Sequence, residues 1–323
     1  MELRHLRYFV GVAEELHFGK AAQRLGISQP PLSHQIQVLE EELGVRLFDR
    51  SSRNVELTDV GTLFLAEARA TLAQAERAIT VARRAARGEL GELTIGFNAS
   101  APFVPKVARA IHDFRQGWPE VHLTLSEFPW DAQLPALIDG TIDIGITRSF
   151  SMPHVLPGLT AIPLLEERLV VALRPDHRLA TRNALTLTDL RGEPLIFYSR
   201  EMAGGFTGEL FRLFRAAGVE PEIAQDVREI STLFGLVAAG IGLTIIAESL
   251  CALQAVNLVY RPLSDEGSQS TLWLLHRESE AKPSCLNFLE LIQRDTAPDR
   301  IEAPELAAER PRPARILCAG RED

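Results

Sequence analysis

The stretch over residues 18–43 most constrains the fold, because its pattern predicts two short helices joined by a tight turn. The first helix ends at Gly26, and Ser28 follows as the candidate N-cap of the second helix. Two prolines stand in the first turn of the second helix, where a missing backbone N–H costs nothing. An apolar stripe then recurs at steps of four, three and four residues: Leu32, Ile36, Leu39 and Leu43. This pattern predicts a helix–turn–helix.

The face of the second helix opposite this stripe carries small hydrogen-bonding side chains. A short helix that is anchored by one face and presents such side chains on the other fits the DNA major groove. We therefore predict a DNA-reading set of six residues: Ser28, Gln29, Pro30, Ser33, His34 and Gln37. An ordinary three-helix bundle has the same stripe, so the flanking segments must decide between the two interpretations.

Both flanks favour a DNA-binding domain. Residues 3–16 predict an amphipathic supporting helix, since their apolar positions recur at steps of three and four. Residues 45–61 predict two short strands around a Ser-Ser-Arg-Asn turn, which is a hairpin wing. Arg50 and Arg53 stand on or beside the tip, where arginine contacts backbone phosphate or a minor groove. The alternative is a solvated turn with ordinary surface charges.

A long helix over residues 59–87 follows the wing, and it would be about 43 Å long. Its apolar positions are spaced as a heptad seam: Leu65, Ala68, Leu72, Ala75 and Ile79. Such a rod has little else to bury its stripe against, so we predict that the seam is a dimerisation surface. The alternative is that the stripe packs on the chain's own C-terminal domain.

From residue 92 onward, strands and helices alternate, which predicts α/β structure with parallel sheets and right-handed crossovers. The segments LTAIPLL and RLVVALRP predict a pair of strands near residues 160–174, and the chain returns to them near residues 262–277. Two lobes joined by two crossing segments are therefore expected. A ligand is expected in the cleft at the carboxyl ends of the strands.

The net charge of the whole chain does not indicate nucleic-acid binding. The charges of its N-terminal part therefore have to be counted separately. The net charge is −9, yet residues 1–88 hold 12 Lys and Arg against 11 Asp and Glu. DNA affinity must then come from the placement of a few cations. The three cysteines are far apart, which indicates a reducing compartment, and no apolar leader or membrane-length run is found, so we expect a cytoplasmic protein. Residues 298–323 are expected to be a disordered tail.

These parts together resemble the DNA-binding signature of LysR-type transcriptional regulators, carried by AAQRLGISQPPLSHQIQVLEEELGVRLFDRSSRNVELTDVG. Within that family, SQPPLSHQIQ and DVREISTLFGLVAAGIGLTII resemble the branch that controls catabolism of benzoate, catechol, chlorocatechol and muconate. His34 departs from the family pattern, since many members carry arginine there. The departure weakens any transfer of their base preference.

The resemblance implies an α/β fold with an all-α winged helix–turn–helix N-terminal domain, a long linker helix and a two-lobed effector domain like periplasmic binding proteins. It implies an activator of an aromatic-compound catabolic operon that responds to a small carboxylate. Its partners would be double-stranded DNA at a promoter dyad, a small organic acid, RNA polymerase and further copies of the chain in a dimer of dimers. The expected domains are 1–58, 59–88 and 89–297, with lobe I over about 92–163 and 268–297 and lobe II over about 164–267.

A small carboxylate effector would need hydrogen-bond donors, and the sequence supplies such residues directly after strand ends. Ser100 and Trp130 stand at positions that match the family's effector contacts. The place of three more residues after a strand or at the start of a helix beside the cleft adds Arg148, Phe206 and Thr207. Ser100 is alternatively a plain helix cap, Arg148 an interlobe salt bridge and Phe206 part of a lobe core. Trp130 stands where related members often have a hydroxyl residue, which favours a ring-bearing or small monocarboxylate over a dicarboxylate.

No serine elbow, catalytic carboxylate pair, CxxC or histidine-rich metal spacing is present in the sequence. We therefore expect no enzyme activity, no cofactor and no metal. Two alternatives remain at this stage. One is a constitutive DNA-binding regulator with no effector, and the other is a small-molecule-binding enzyme or carrier.

Overall fold

The computed structural model describes residues 1–50, 55–198 and 205–294. The chain forms two compact units, which divide between Arg87 and Gly88. The predicted tip residue Arg53 and the predicted tail over 298–323 lie outside the described residues. None of the helices within the described ranges is long and apolar enough to cross a membrane.

The first unit is a winged helix–turn–helix. Its elements are α1 (Leu3–Glu15), α2 (Phe18–Leu25), α3 (Gln29–Leu43), β1 (Phe48–Arg50), β2 (Val55–Leu57) and α4 (Asp59–Ala86). Gly26 and Gly44 end α2 and α3 at φ values of 69° and 70°, a left-handed conformation that glycine adopts without strain. The strands β1 and β2 pair antiparallel as the wing. Both the helix pair and the wing agree with the sequence prediction.

The start of α4 is fixed by close contact with the wing. The Thr58 hydroxyl accepts a hydrogen bond from the Gly61 N–H at 2.9 Å, which caps the helix. A Cβ atom on Gly61 would lie 2.1 Å from the Leu47 carbonyl oxygen. Because no side chain fits in that space, glycine is required where α4 crosses the base of the wing.

The structure corrects the predicted dimerisation seam on α4. Ala68 is only 1% exposed, and it packs in the core of its own domain together with Leu65 and Leu72, which are half-buried. The alternation of Ala with larger residues lets α4 approach α1 of the same chain. Ala75 is half-buried and Ile79 is 48% exposed, so only the later part of the seam is available to a partner.

The second unit begins with the first lobe. Its parallel strands are β3 (Gly91–Phe97), β4 (Val121–Glu127) and β5 (Ile144–Ser149), in the order β5-β3-β4. The helices α5 (Pro105–Gly117) and α6 (Trp130–Ile138) connect them, and the last helix (Pro283–Arg294, α9) packs beside α5. Phe114 and Phe288 meet edge to face at this contact, with ring centroids 5.5 Å apart.

One long strand replaces the two strands predicted near residues 160–174. Strand β6 (Leu159–Leu173) pairs antiparallel along its first part with β11 (Gln269–Arg277). A register shift places Leu165 opposite Leu272 but Pro163 opposite Trp273. This bulge accommodates the missing N–H of Pro163 without ending the strand, which is why the apparent break in the sequence is not a break in the structure.

The second lobe is built on the later part of β6. Strands β9 (Thr244–Ala247) and β10 (Val259–Pro262) pair with it antiparallel, so the expected purely parallel sheet is wrong and the sheets are mixed. The remaining elements are β7 (Pro194–Tyr198), β8 (Glu222–Val227), α7 (Gly205–Ala216) and α8 (Ile230–Ala238), with β7 and β8 parallel. Strands β6 and β11 are the two segments that run between the lobes.

Candidate functional site

Helix α3 presents the predicted DNA-reading face to solvent. Leu32, Ile36 and Leu39 are fully buried under it. Of the predicted set, Ser33 is half-buried and the others are exposed: Ser28, Gln29, Pro30, His34 and Gln37. Ser28 occupies the N-cap position, but its side chain makes no capping hydrogen bond, so its hydroxyl does not serve the helix as predicted.

Arg50 has a structural role that the sequence did not reveal. Its guanidinium donates to Glu40 Oε2 at 2.9 Å and lies over the Phe18 ring, 5.1 Å from the centroid. Glu40 Oε1 accepts hydrogen bonds from the backbone N–H groups of Leu47 and Phe48 at 2.8 and 3.1 Å. Arg50 therefore anchors the base of the wing, and because it remains exposed its contact with DNA phosphate stays a prediction.

Two further exposed cations lie on the same domain: Arg46, which the sequence groups with Arg50 and Arg53 after the helices, and Lys20, which the sequence prediction omitted. Lys20 stands in the first turn of α2, and Arg46 stands between α3 and the wing. Neither has an ion-pair partner within the described part of the chain, in contrast to Arg24, which is paired with Glu14. Unpaired cations are the groups that contact backbone phosphate without loss of an internal salt bridge.

A cavity of about 260 Å³ lies in the second unit where the two lobes meet. Its apolar wall is largely aromatic and branched aliphatic: Phe128, Trp130, Phe206, Ile245, Ile246 and Leu250. Its polar lining comes from the ends of β3, β5 and β7: Asn98, Ser100, Thr147, Arg148 and Tyr198. The carboxyl ends of these strands meet there, as expected for a ligand cleft in an α/β domain.

Ser100, Trp130 and Phe206 line the cavity, but Thr207 does not. The Thr207 side chain is 2% exposed, and its hydroxyl donates to the Tyr198 carbonyl at 3.4 Å. It therefore ties the first turn of α7 to the end of β7, so its prediction as an effector contact is wrong. Phe206 packs against Phe150 with ring centroids 5.1 Å apart, which fixes that wall of the cavity.

Arg148 borders the cavity as the buried half of an ion pair. Its guanidinium contacts Glu167 at 2.6 Å, with both side chains only 3% exposed. It also donates to the hydroxyls of Ser100 at 3.3 Å and Ser270 at 3.1 Å. Burial lowers the pKa of the Arg148 guanidinium from its usual value, and the Glu167 carboxylate opposes that shift. Its charge is thus neutralised by Glu167, which agrees with the alternative of a salt bridge, while Arg148 also lines the cavity, so that its contact with an effector stays a prediction.

The structure adds two hydroxyl groups that the sequence prediction missed. Thr147 is completely buried beside the cavity, and its Oγ1 has no hydrogen-bond partner among the described residues. Tyr198 Oη is likewise buried without a partner in that part of the chain. Burial raises the pKa of the Tyr198 hydroxyl, and the nearby carboxylates of Glu127 and Glu229 add to the shift. Thr147 is the last residue of the sequence DIGIT and directly precedes Arg148 on β5, so its place beside a predicted site residue was the available signal.

The described cysteines and acids offer no reactive or metal centre. Burial raises the pKa of the Cys251 thiol to about 12, and Cys285 is fully buried. Within residues 1–50, 55–198 and 205–294, no group of three or more His, Cys, Asp or Glu is placed to hold a metal ion. The cavity therefore offers hydrogen bonds and apolar walls, the features of a binding site for a small molecule.

Two family profiles match the two units. Residues 3–62 match the family described as "Bacterial regulatory helix-turn-helix protein, lysR family", and residues 86–297 match "LysR substrate binding domain". The second match alone covers more than half of the chain.

Individual relatives agree with the profiles. The uncharacterized HTH-type transcriptional regulator YnfL of Escherichia coli K12 is 41% identical over 289 residues, which cover 89% of this chain and 96% of that protein. The HTH-type transcriptional regulator BenM of Acinetobacter baylyi is 37% identical over 91% of this chain and 96% of its own length.

A solved structure also matches the full length. Full-length CbnR in complex with its target DNA is 31% identical, has a TM-score of 0.78, and the match covers 91% of this chain and 99% of that chain. These relatives and families are transcriptional regulators and not enzymes. The chain is thus similar over nine-tenths of its length to both BenM and CbnR. The chain belongs to the LysR family of bacterial DNA-binding transcriptional regulators.

Proposed function

We propose that this regulator activates an operon for the catabolism of aromatic compounds, and that a small organic acid bound between the lobes controls it. The observation that carries the proposal is the cavity of about 260 Å³, which holds the buried and unpartnered Thr147 hydroxyl between ring-bearing walls. The protein would act in the cytoplasm on a promoter dyad, together with RNA polymerase. Likeness to BenM and CbnR supports this assignment.

The cavity is suited to one ring. It is slightly smaller than the roughly 300–1,000 Å³ that is typical of pockets for drug-sized ligands. A ring would lie between Trp130 and Phe206, which come from different lobes, so that its binding favours the closed cleft. The carboxylate would accept hydrogen bonds from the hydroxyls of Ser100 and Thr147. Arg148 would orient Ser100, since it already donates to that oxygen.

Thermal denaturation of the full-length protein in the presence of a panel of aromatic acids tests the effector. We expect at least one acid to raise the melting temperature, because it binds only the folded state. Thr147→Val keeps the side-chain volume but removes the hydroxyl. It should weaken the binding of that acid roughly tenfold to a hundredfold, as expected when a hydrogen bond to a charged group is lost. Thr124→Val on β4, outside the cavity, is the matched control. If no acid stabilises the protein, it is a constitutive regulator.

We further propose that the exposed face of α3 reads DNA through Gln29, Ser33, His34 and Gln37. Its buried stripe leaves this face exposed, which supports the assignment. Gln29→Ala should cost about 1–3 kcal/mol on the cognate site and relax the sequence preference. Gln74→Ala, an exposed glutamine on α4, is the control. An equal loss on every DNA sequence would place Gln29 on the phosphate backbone instead.

Residues 1–58, 59–88 and 89–297 would then serve as DNA-binding domain, linker and effector domain. We propose that two such chains pair through the later part of α4 and that two pairs occupy the dyad. An apolar side chain exposed on the later part of the seam supports this arrangement, namely Ile79 at 48%. One DNA-binding domain with a balance of 12 cations against 11 anions over residues 1–88 has little affinity of its own, so pairing would supply the rest.

A further inference from the structure

Two acidic side chains from opposite lobes stand at the mouth of the cavity. Glu127 is the last residue of β4, and Glu229 occupies the N-cap position of α8. Both side chains line the cavity, and both also line a wider groove of about 630 Å³ that continues outward from it. The mouth is therefore defined by one carboxylate from each lobe.

Neither carboxylate is satisfied by the protein. Within the described residues, Glu127 and Glu229 take part in no ion pair or side-chain hydrogen bond, and the Glu229 side chain does not cap its own helix. Arg228 lies at the same mouth, but it is engaged in an interaction of its own.

Like charges on opposite lobes oppose closure of the cleft. Both side chains are exposed, so water and salt weaken this repulsion without removing it. Burial raises the pKa of the Tyr198 hydroxyl, and both carboxylates are close enough to add to that shift; Tyr198 lines the same cavity. A cation placed beside Tyr198 would remove this repulsion and join the two lobes.

The inner end of the cavity carries hydrogen-bond donors, in contrast to the carboxylates at its mouth. Thr147 is fully buried there with its hydroxyl unpartnered, and the Ser100 hydroxyl already accepts from Asn98 at 3.1 Å and Arg148 at 3.3 Å. Hydroxyl protons in this position donate into the cavity, and they fit an anion. The cavity thus has donors at its closed end and unpaired carboxylates at its open end.

We propose that the effector is an amino acid in the broad sense, a ring-bearing carboxylate whose far end carries an ammonium group. This inference rests on the proposed acid effector and specifies its second functional group. The carboxylate lies against Ser100 and Thr147, the ring lies between Trp130 and Phe206, and the ammonium group lies between Glu127 and Glu229. A plain aromatic acid leaves the two carboxylates unpaired and closes the cleft less well.

Three probes share the benzoate ring and differ only in the para group: para-(aminomethyl)benzoate, its uncharged analogue of equal length para-(hydroxymethyl)benzoate, and the shorter para-methylbenzoate. Binding to the full-length protein is measured by the fluorescence of its tryptophans, one of which is Trp130 in the cavity wall. We expect the ammonium compound to bind at least tenfold more tightly than the methyl compound, with the hydroxyl compound between them. Added salt should reduce the preference, because charges at the exposed mouth are screened.

Variants that replace a carboxylate by an uncharged amide test whether Glu127 and Glu229 cause the preference for the ammonium compound. Glu127→Gln and Glu229→Gln should each reduce severalfold the ratio of the affinity for the ammonium compound to that for the methyl compound. The double variant should abolish the preference. Binding of para-methylbenzoate should persist in all of them, as tight as to wild type or tighter because the repulsion between the lobes is reduced, which also shows that the cavity is intact. Glu222→Gln on β8, outside the cavity, should keep the full preference.

The outcomes distinguish this inference from the proposed function. If the methyl compound binds wild type as tightly as the ammonium compound, or if the preference survives in the double variant, the inference is wrong while an acid effector stands. If none of the three probes binds, the acid effector and this inference are both overturned.

Discussion

The buried ion pair beside the cavity gives the sharpest prediction about stability. Arg148 on β5 contacts Glu167 on β6 at 2.6 Å, and the Ser249 hydroxyl donates to the same carboxylate oxygen at 3.1 Å. The other oxygen, Glu167 Oε1, is buried without a hydrogen-bond partner in the described part of the chain. Replacing Arg148 by Met would therefore leave a carboxylate buried with no cation and one hydroxyl donor.

The expected cost is large. Removing one partner of a buried pair costs about 3–5 kcal/mol, because the remaining charge keeps its desolvation penalty. With a urea dependence of about 2 kcal/mol per molar, Arg148→Met should lower the unfolding midpoint by about 1.5–2.5 M. The double variant Arg148→Met with Glu167→Leu should regain most of that loss, since the uncompensated charge is gone.

Tryptophan fluorescence measures this in the full-length protein. All three tryptophans, Trp118, Trp130 and Trp273, lie in the second unit, so the signal reports its unfolding without truncation. Arg168→Met is the matched control, because Arg168 pairs with Glu248 at the same 2.6 Å but its side chain is 56% exposed. Such a surface pair contributes about 0–1 kcal/mol. If Arg148→Met shifts the midpoint no more than Arg168→Met, the reasoning about the buried pair is refuted.

Three further predictions concern the first unit. Glu40→Ala should destabilise it by about 1–3 kcal/mol in circular-dichroism melts, because two backbone N–H groups and Arg50 lose their acceptor; an unchanged melt would mean that water replaces the carboxylate. Gly61→Ala should cost about 1–3 kcal/mol or more, since its Cβ would meet the Leu47 oxygen at 2.1 Å. The control Gly117→Ala, whose Cβ meets nothing within 4 Å, should be neutral, and equal effects would contradict the steric argument. Ile79→Asp should halve the sedimenting mass, and an unchanged mass would assign dimerisation to another surface.

The boundaries of the helices were predictable because local chemistry determines them. Glycines that adopt positive φ end α2 and α3, and Pro30 and Pro31 fit only the first turn of α3. The heptad seam on α4 was predictable as an apolar stripe, but its partner was not. Periodicity shows that a face is buried and does not show what covers it, and here α1 of the same chain covers Ala68.

Several lining residues of the cavity were predictable from the sequence, but the ion pair beside it was not. Residues that follow strand ends gave Ser100, Trp130 and Phe206, which do line it. The partner of Arg148 could not be read from the sequence, because Glu167 is on a strand that neighbours β5 only through β11. Pairing across two strands depends on the register, and the bulge beside Pro163 alters that register.

The most direct test of the account is a footprint of the full-length protein on the DNA upstream of its own gene, with and without the acid that stabilises it. We expect a salt-sensitive protected dyad whose pattern changes at saturating acid, because the ligand alters how the paired DNA-binding domains are arranged. The change should be absent in Thr147→Val at an acid concentration that saturates only wild type. An identical footprint with and without bound acid would contradict the claim that the cavity controls DNA binding.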